Sequence, residues 1–413
     1  MKTYSLSAYV FIVLFLLPSA VFAKENQLPL WNIQSIDTMK TSRDRARVEL
    51  SNPAFDVQIQ KELIAIKETG ANYVAIDTPY DKEFLPYLQR WVRLARKTGL
   101  RVWFRGNWSS WEGWFDYPKS LTPQNHITKT SFFILDHPEL FEDGDIFDAC
   151  PECENAKYWK QPKDDAEYNA FLRAQQESLA KAFEKIDKKV YSNIASIIGG
   201  RAKEVLDKKT MESLRVVAID HYTKDPKNMG EYVDYFTKNG AKTLVSEFGA
   251  PIPDIHGPMN ENQQADFVDA VFHELYKKQD DVEGVNYYVL IDGTTAILNE
   301  DYTPRSAYYI VKRYFSPNII TGVVTNPLGD RLKDIMFKTQ DITVKTNDRG
   351  EYTLFIPGRT VTMKTKTADY TNDFEIVKFS GDRQTVQKNF VLTPKKPDLF
   401  YKIRLAIQEF FKR

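Results

Sequence analysis

Residues 242–251 read KTLVSEFGAP. Thr243, Leu244 and Val245 favour an extended strand, and the run ends at a carboxylate, Glu247, before Phe248, Gly249 and Pro251 turn the chain. A strand that stops at an acid puts that acid at its C-terminal mouth. In a closed barrel of parallel strands, this rim is where catalytic groups collect. The fold therefore decides whether Glu247 is a candidate nucleophile or one acid among 56.

Outward from this stretch, β-type runs alternate with helical periodicity. LWNIQSID precedes a helical run over about 55–69, and NYVAID precedes one over 84–97 that carries Phe84, Leu88, Trp91, Val92 and Ala95 at helical spacing. RVWFRGNW leads into a long aromatic stretch. GDIFDA precedes a strong helix over 165–188, where Phe171, Leu172, Leu179, Ala182, Phe183 and Ile186 recur at three and four. VYSNIASIIGG, RVVAIDHY, TLVSEFG and GVNYYVLID supply four more strands, with helices clearest at 262–277 and 304–314 and weakest at 203–214. Eight strand-then-helix units predict an α/β fold, a (β/α)8 TIM barrel. A doubly wound sheet is the alternative, but no G-x-G-x-x-G opens any of these helices.

The texture changes after residue 316. ITGVVTN, DIMFKT, DITVKT, EYTLFIP, VTMKTK, FEIVKF and KNFVLTP alternate and are separated by turn residues, which predicts a small all-β sandwich. Beyond it, Leu399, Ile403, Ala406, Ile407 and Phe410 share one helical face, with Lys402, Arg404, Lys412 and Arg413 among the polar positions. Such a helix docks on the sandwich or barrel, or lies on an anionic membrane or cell-wall surface. The expected organisation is a signal peptide at 1–23, the barrel at 24–316, the sandwich at 317–396 and the amphipathic helix at 397–413.

At 413 residues, two domains are the prior expectation. Lys plus Arg and Asp plus Glu balance at 56 each, which leaves no basic footprint for nucleic acid. Lys2, the apolar run from Ala8 to Leu17 and Val21-Phe22-Ala23 have the form of a secretory signal peptide, so the chain is expected to be secreted or held at the cell surface. An uncleaved anchor is the alternative, disfavoured by Pro18 and the short apolar run. Cys150 and Cys153 are the only cysteines, spaced CPEC, and form a disulfide candidate. One such pair is half a zinc site, so neither metal nor cofactor is expected.

Breaking a glycosidic bond needs two carboxylates flanking it. Glu247 is one candidate. The second belongs on another strand end, and PECEN (151–155), just after GDIFDA, offers Glu152 and Glu154. His221 and Tyr222 stand at the end of RVVAID and are both catalytic candidates: a tyrosine hydroxyl there could orient the nucleophile, and a satisfied core histidine is the alternative reading of His221. The other strand ends make Asp37, Lys40, Arg43, Asp44, Asp77, Tyr80, Arg105 and Asn107 mouth candidates, with Arg43 or Arg105 able to stabilise a nucleophilic carboxylate. Trp108, Trp111 and Trp114 crowd the third loop, either as sugar-stacking faces or as the loop's own packing. Asn286, Tyr288 and Asp292 alternate along the eighth unit.

With VSEFG ending strand seven and the PECEN acid ending strand four, residues 28–315 resemble the retaining glycoside hydrolases of clan A. That resemblance implies Glu247 as nucleophile, Glu152 (Glu154 as second choice) as acid/base and a carbohydrate substrate; among the mouth residues, Asp37, Arg43, Asp77, Tyr80, Arg105, Asn107, Trp108, Trp111, Tyr288 and Asp292 are the substrate-binding candidates. Pro151 stands where the clan carries Asn, and Tyr288 where it often carries Trp. ITGVVTNPLGDRLKDIMFKT followed by TNDRGEYTLFIPG resembles the carboxypeptidase regulatory-like fold, which implies an appended module without chemistry. The alternative to an enzyme is a catalytically inactive glycan-binding or cell-surface adhesion protein.

Overall fold

The computed structural model describes residues 28–159 and 165–411. The expected signal peptide lies outside the described residues. Eight parallel strands, β1 (Ile33–Asp37), β2 (Tyr73–Ile76), β3 (Arg101–Phe104), β4 (Ile146–Phe147), β5 (Ser196–Ile198), β6 (Val216–Asp220), β7 (Lys242–Phe248) and β8 (Val282–Tyr287), form one sheet in the order β4-β3-β2-β1-β8-β7-β6-β5. The segment leading into β5 closes the ring: Ile146 bridges Tyr191 in parallel, and Tyr191 N donates to Asp145 O at 2.8 Å. This is the expected TIM barrel, not a doubly wound sheet.

The helices sit where periodicity put them, at Asp56–Thr69, Leu85–Thr98, Asp165–Lys185, Glu261–Lys277 and Ser306–Phe315. The first two stop at Gly70 and Gly99, whose φ values of 98° and 74° suit the left-handed cap that glycine adopts at low cost. The weak stretch 203–214 spans two short helices, Gly199–Val205 and Lys208–Leu214. β4 and β5 are shorter than their apolar runs suggested. Side chains take over from the ladder there: Asp148 accepts from the Ser196 hydroxyl and from Ser196 N (3.3 Å).

Alternation along the strands builds the barrel interior. Ile33, Tyr73, Ala75, Trp103, Ile146, Ile194, Ala218 and Leu244 form a separate apolar cluster inside the ring. An even number of residues further along, on the same strand faces, stand Asp37, Asp77, Arg105, Asp148 and Asp220, all buried. The interior is thus apolar below and charged at its C-terminal rim.

The remaining strands make two sheets. β9 (Asn318–Thr325) pairs with β12 (Glu351–Ile356), β15 (Thr385–Gln387) and β16 (Phe390–Val391); β10 (Met336–Lys338), β11 (Thr343–Lys345), β13 (Thr360–Lys366) and β14 (Phe374–Lys378) form the other. β15, which runs parallel to β9, has no counterpart among the sequence-predicted strands. Phe337 stacks on Tyr352 (4.0 Å) within this core. Tyr276 OH donates to Phe355 O (2.6 Å), tying the sandwich to a barrel helix.

Candidate active site

The register of β7 against β6 shifts so that Asp220 pairs with Glu247, and against β8 it shifts between Val245 and Phe248. In a regular strand, Ser246 and Glu247 would face opposite sides. The irregularity lets both serve the rim. Ser246 Oγ donates to Asp220 Oδ1 (2.6 Å), while Glu247 Oε2 accepts from Tyr222 OH (2.7 Å) and Oε1 meets Arg105 Nη2 (2.9 Å).

Arg105 is the hub of the rim. Its Nη1 reaches Asp37 Oδ2 (3.0 Å) and Ser246 O (3.1 Å), and its Nη2 reaches Asp220 Oδ2 (3.2 Å) as well as Glu247. Asn286 Nδ2 donates to Ser246 O (2.8 Å) and to Asp37 Oδ2 (3.3 Å). Asp77 is buried beside this group with neither carboxyl oxygen hydrogen-bonded. Burial pushes Asp37 up to about 6 against the pull of Arg105. Burial, then a neighbouring acid (Asp37 for Asp77, Glu247 for Asp220), pushes both carboxyls well above the usual range. Burial works to lower the arginine's pKa, but the surrounding acids raise it well above its ordinary value.

Across the rim lies the loop after β4. Cys150 and Cys153 are joined as a disulfide, with Cα atoms 5.3 Å apart. Between them, Glu152 sits in the left-handed region (φ 49°, ψ 38°) and its N donates to Ser196 O at 2.9 Å. Burial first, then the field of Glu247, then that of Glu154, raise the Glu152 carboxyl to about 8. Glu154 is engaged elsewhere: its Oε1 accepts from Ile198 N (2.6 Å) and its Oε2 faces Tyr168 OH (3.4 Å). Of the two acids, Glu152 answers electrostatically to Glu247 and Glu154 pins the loop to β5.

Several sequence-predicted site residues stand elsewhere. The His221 ring packs on Tyr232 (4.1 Å between centroids) and against Gly199, where an added Cβ would lie 2.6 Å from Nδ1. Only its backbone N reaches Glu247 O (2.8 Å), and burial lowers its pKa to about 4, so the ring is neutral at pH 7. The ring's Nε2 is buried without a hydrogen-bond partner among the described residues. Trp108 is 5% exposed, with its indole N–H on Thr130 Oγ1 (2.9 Å), and Trp111 is 4% exposed and stacks on Phe171. Neither offers a sugar a face. Tyr80 is sandwiched by Phe133 and Phe147, and Asn107 holds the third loop together through Glu112 (2.5 Å) and His126 (2.8 Å). These aromatics gain more by packing behind the rim than by lining it.

Arg43 does not pair with Glu247; it pairs with Asp44 (2.8 Å) and lies over the half-buried Trp114 (4.8 Å). Tyr288 is half-buried and meets the Tyr222 ring edge-on at 6.1 Å, so it belongs to the rim. Asp292 is exposed, and its charge acts on Glu62 and Tyr302 instead. The residues sequence reasoning passed over are Asp220, Ser246 and Glu112, the last raised to about 7 by burial. A signal for Asp220 was present. Ser35-Ile36-Asp37, Ala75-Ile76-Asp77 and Ala218-Ile219-Asp220 repeat one pattern at three strand ends.

Among the described residues, the donor atoms of His126, Cys150 and Cys153 lie within 4.8 Å of one another. His126 already engages Asn107 and Gln175 (3.0 Å) through its ring nitrogens, and the sulfurs are joined to each other. That donor set does not fit a metal as it stands.

No protein-family profile matches the chain, and no curated protein matches it. Solved structures do. A GH5_18 protein from Bifidobacterium longum subsp. infantis superposes with a TM-score of 0.51 at 11% identity, over 73% of this chain and 84% of that one. A β-glycosidase from Pyrococcus horikoshii gives 0.49 at 11% identity, over 70% and 95%. An FMN-binding β-glucuronidase from Faecalibacterium prausnitzii gives 0.46 at 12% identity over 80% of this chain, which spans only 53% of that protein's length. The likeness is one of fold: the TIM barrel on which these glycoside hydrolases are built.

Proposed function

We propose that this chain is a glycoside hydrolase that cleaves O-glycosidic bonds of an oligo- or polysaccharide with retention of configuration. The observation that carries the reading is the pairing of roles across the rim. Glu247 is held by Arg105 and Tyr222, while the half-buried Glu152, within the field of Glu247, has its carboxyl raised to about 8. Retaining chemistry needs this division between a fixed nucleophile and a protonated acid. The clan A likeness in sequence pattern and the barrel fold both support it.

In the first step, a Glu247 oxygen attacks the anomeric carbon as the bond to the leaving oxygen breaks, and that oxygen takes the Glu152 proton. In the second, Glu152 removes a proton from water, the water oxygen attacks the same carbon, and Glu247 departs as carboxylate. Two inversions restore the starting configuration. Arg105 and Tyr222 act as positioning residues. Pro151 has no amide to offer the sugar 2-hydroxyl, and this departure favours the second reading, a binding protein without turnover. The signal-peptide pattern at 1–23 supports action outside the cytoplasm.

The test is a panel of 2-deoxy-2-fluoroglycosides with peptide mapping by mass spectrometry. Covalent label on Glu247, and loss of hydrolysis in Glu247→Gln with binding retained, are expected. Label on another residue, or undiminished hydrolysis by Glu247→Gln, overturns the assignment. Glycan binding without turnover by the unaltered chain would favour the binding reading.

A further inference from the structure

The helix Leu399–Phe411 is docked the wrong way round for a structural element. At 100° per residue, Leu399, Phe400, Ile403, Ala406, Ile407, Phe410 and Phe411 share an arc of about 140°. The large side chains of that arc are from 48% (Ile403) to 80% (Phe411) exposed. The half-buried residues are Tyr401, Leu405 and Gln408, on the opposite side. Arg404 reaches Asp330 of the sandwich at 3.5 Å, and the Tyr401 hydroxyl feels Tyr370 and Asp330. The helix therefore rests on the sandwich by its narrow, partly polar side and holds its broad apolar stripe outward. A helix serving only the fold would be turned the other way.

We infer that this stripe is an interfacial anchor that lies on an anionic phospholipid bilayer. Charge argues for that occupant. The chain as a whole has a formal net charge of +0, yet residues 395–413 carry six Lys or Arg against Asp398 and Glu409. Lys402 falls beside the apolar arc, where a long cationic side chain reaches headgroups while the aromatics enter the acyl boundary. Among the described residues, no helix is long and apolar enough to cross a membrane, so this one lies in the plane. A second copy fits less well, because symmetric pairing would bring the same cationic edges together. The inference does not depend on the catalytic reading.

Vesicle co-sedimentation tests it, with the full chain and the triple variant Phe400→Ser, Phe410→Ser, Phe411→Ser. Both share the N-terminal apolar run, so their difference reports the helix alone. With vesicles of phosphatidylcholine containing about 30 mol% phosphatidylglycerol, the unaltered chain should bind about tenfold more than the variant. Binding should fall with pure phosphatidylcholine and with high salt. Lys402→Glu, which leaves the apolar stripe whole, should weaken anionic-vesicle binding and serves if the triple variant fails to fold. Equal sedimentation of chain and variants overturns the inference. So does indifference to phosphatidylglycerol, or a vesicle-inert dimer that Phe410→Ser dissociates.

Discussion

Arg105, buried at the end of β3, holds its guanidinium 2.9 Å from Oε1 of Glu247 at the end of β7. The same fork serves Asp37 and Asp220, so one cation organises three carboxylates from three other strands. Arg105→Met should leave those acids buried without a counter-charge, which costs about 3–5 kcal/mol when a buried pair is broken from one side. Calorimetry should show a lowered Tm together with loss of turnover. Arg105→Lys keeps the charge but not the fork, and should fall between the two.

The acid at about 8 sets the alkaline side of the pH profile. Glu152 donates only when protonated, so kcat/KM should fall about tenfold per pH unit above that value. Glu152→Gln should lower kcat/KM by roughly 10²–10⁴-fold and abolish this limb, with the smallest loss on aryl glycosides of good leaving groups. Initial-rate pH profiles on two leaving groups check both statements.

Tyr222→Phe removes the 2.7 Å hydrogen bond to Glu247 Oε2 and little else. A bond of this kind to a charged group amounts to about 1.5–3 kcal/mol, so kcat should drop roughly 10–100-fold. KM should change little, because the hydroxyl is aimed at the nucleophile and not at bound sugar.

The Cys150–Cys153 bridge closes a very short loop, so its effect on the unfolded chain is small. Its effect on Glu152 is direct, since it spans the residue held at φ 49°. The double variant Cys150→Ser, Cys153→Ser should therefore lower kcat more than Tm. Unchanged kinetics in that variant, or under reductant, would dissociate the bridge from the acid's placement.

Glu62 is buried, bonded by Thr41 (2.7 Å) and Tyr302 (3.3 Å), and burial raises its carboxyl to about 8. A folded-state value above the unfolded one favours folding below about 4.5 and loses that contribution as pH climbs through about 8. Glu62→Gln should match the unaltered protein near pH 4.5 and exceed its Tm by several degrees at pH 9. Thermal scans across that range read the crossing.

Much of this was legible in one dimension. Strand-then-helix alternation is a local signal, set by side-chain period and glycine stops, and it read through to the barrel nearly element by element. VSEFG put Glu247 at a strand end, and HYT put Tyr222 beside it. Local chemistry could not separate neighbours. His221 and Tyr222 are adjacent, yet one ring packs outward on Tyr232 and the other hydroxyl meets Glu247. Trp108 and Trp111 look like sugar platforms until the surrounding Thr130 and Phe171 are known to bury them.

The amino-acid order alone thus determined the alternating units, the acid at the mouth of β7 and the amphipathic period of residues 399–411, because each depends on residues a few positions apart. Tertiary structure alone decided that Arg105 is the shared cation, that Glu152 and not Glu154 answers to Glu247, and that the apolar stripe of the last helix faces out. Those outcomes turn on groups that are distant in the chain, on a register shift in β7 and on which face of each element is left to be buried. Burial and electrostatic fields act through space, and only the folded chain sets those distances.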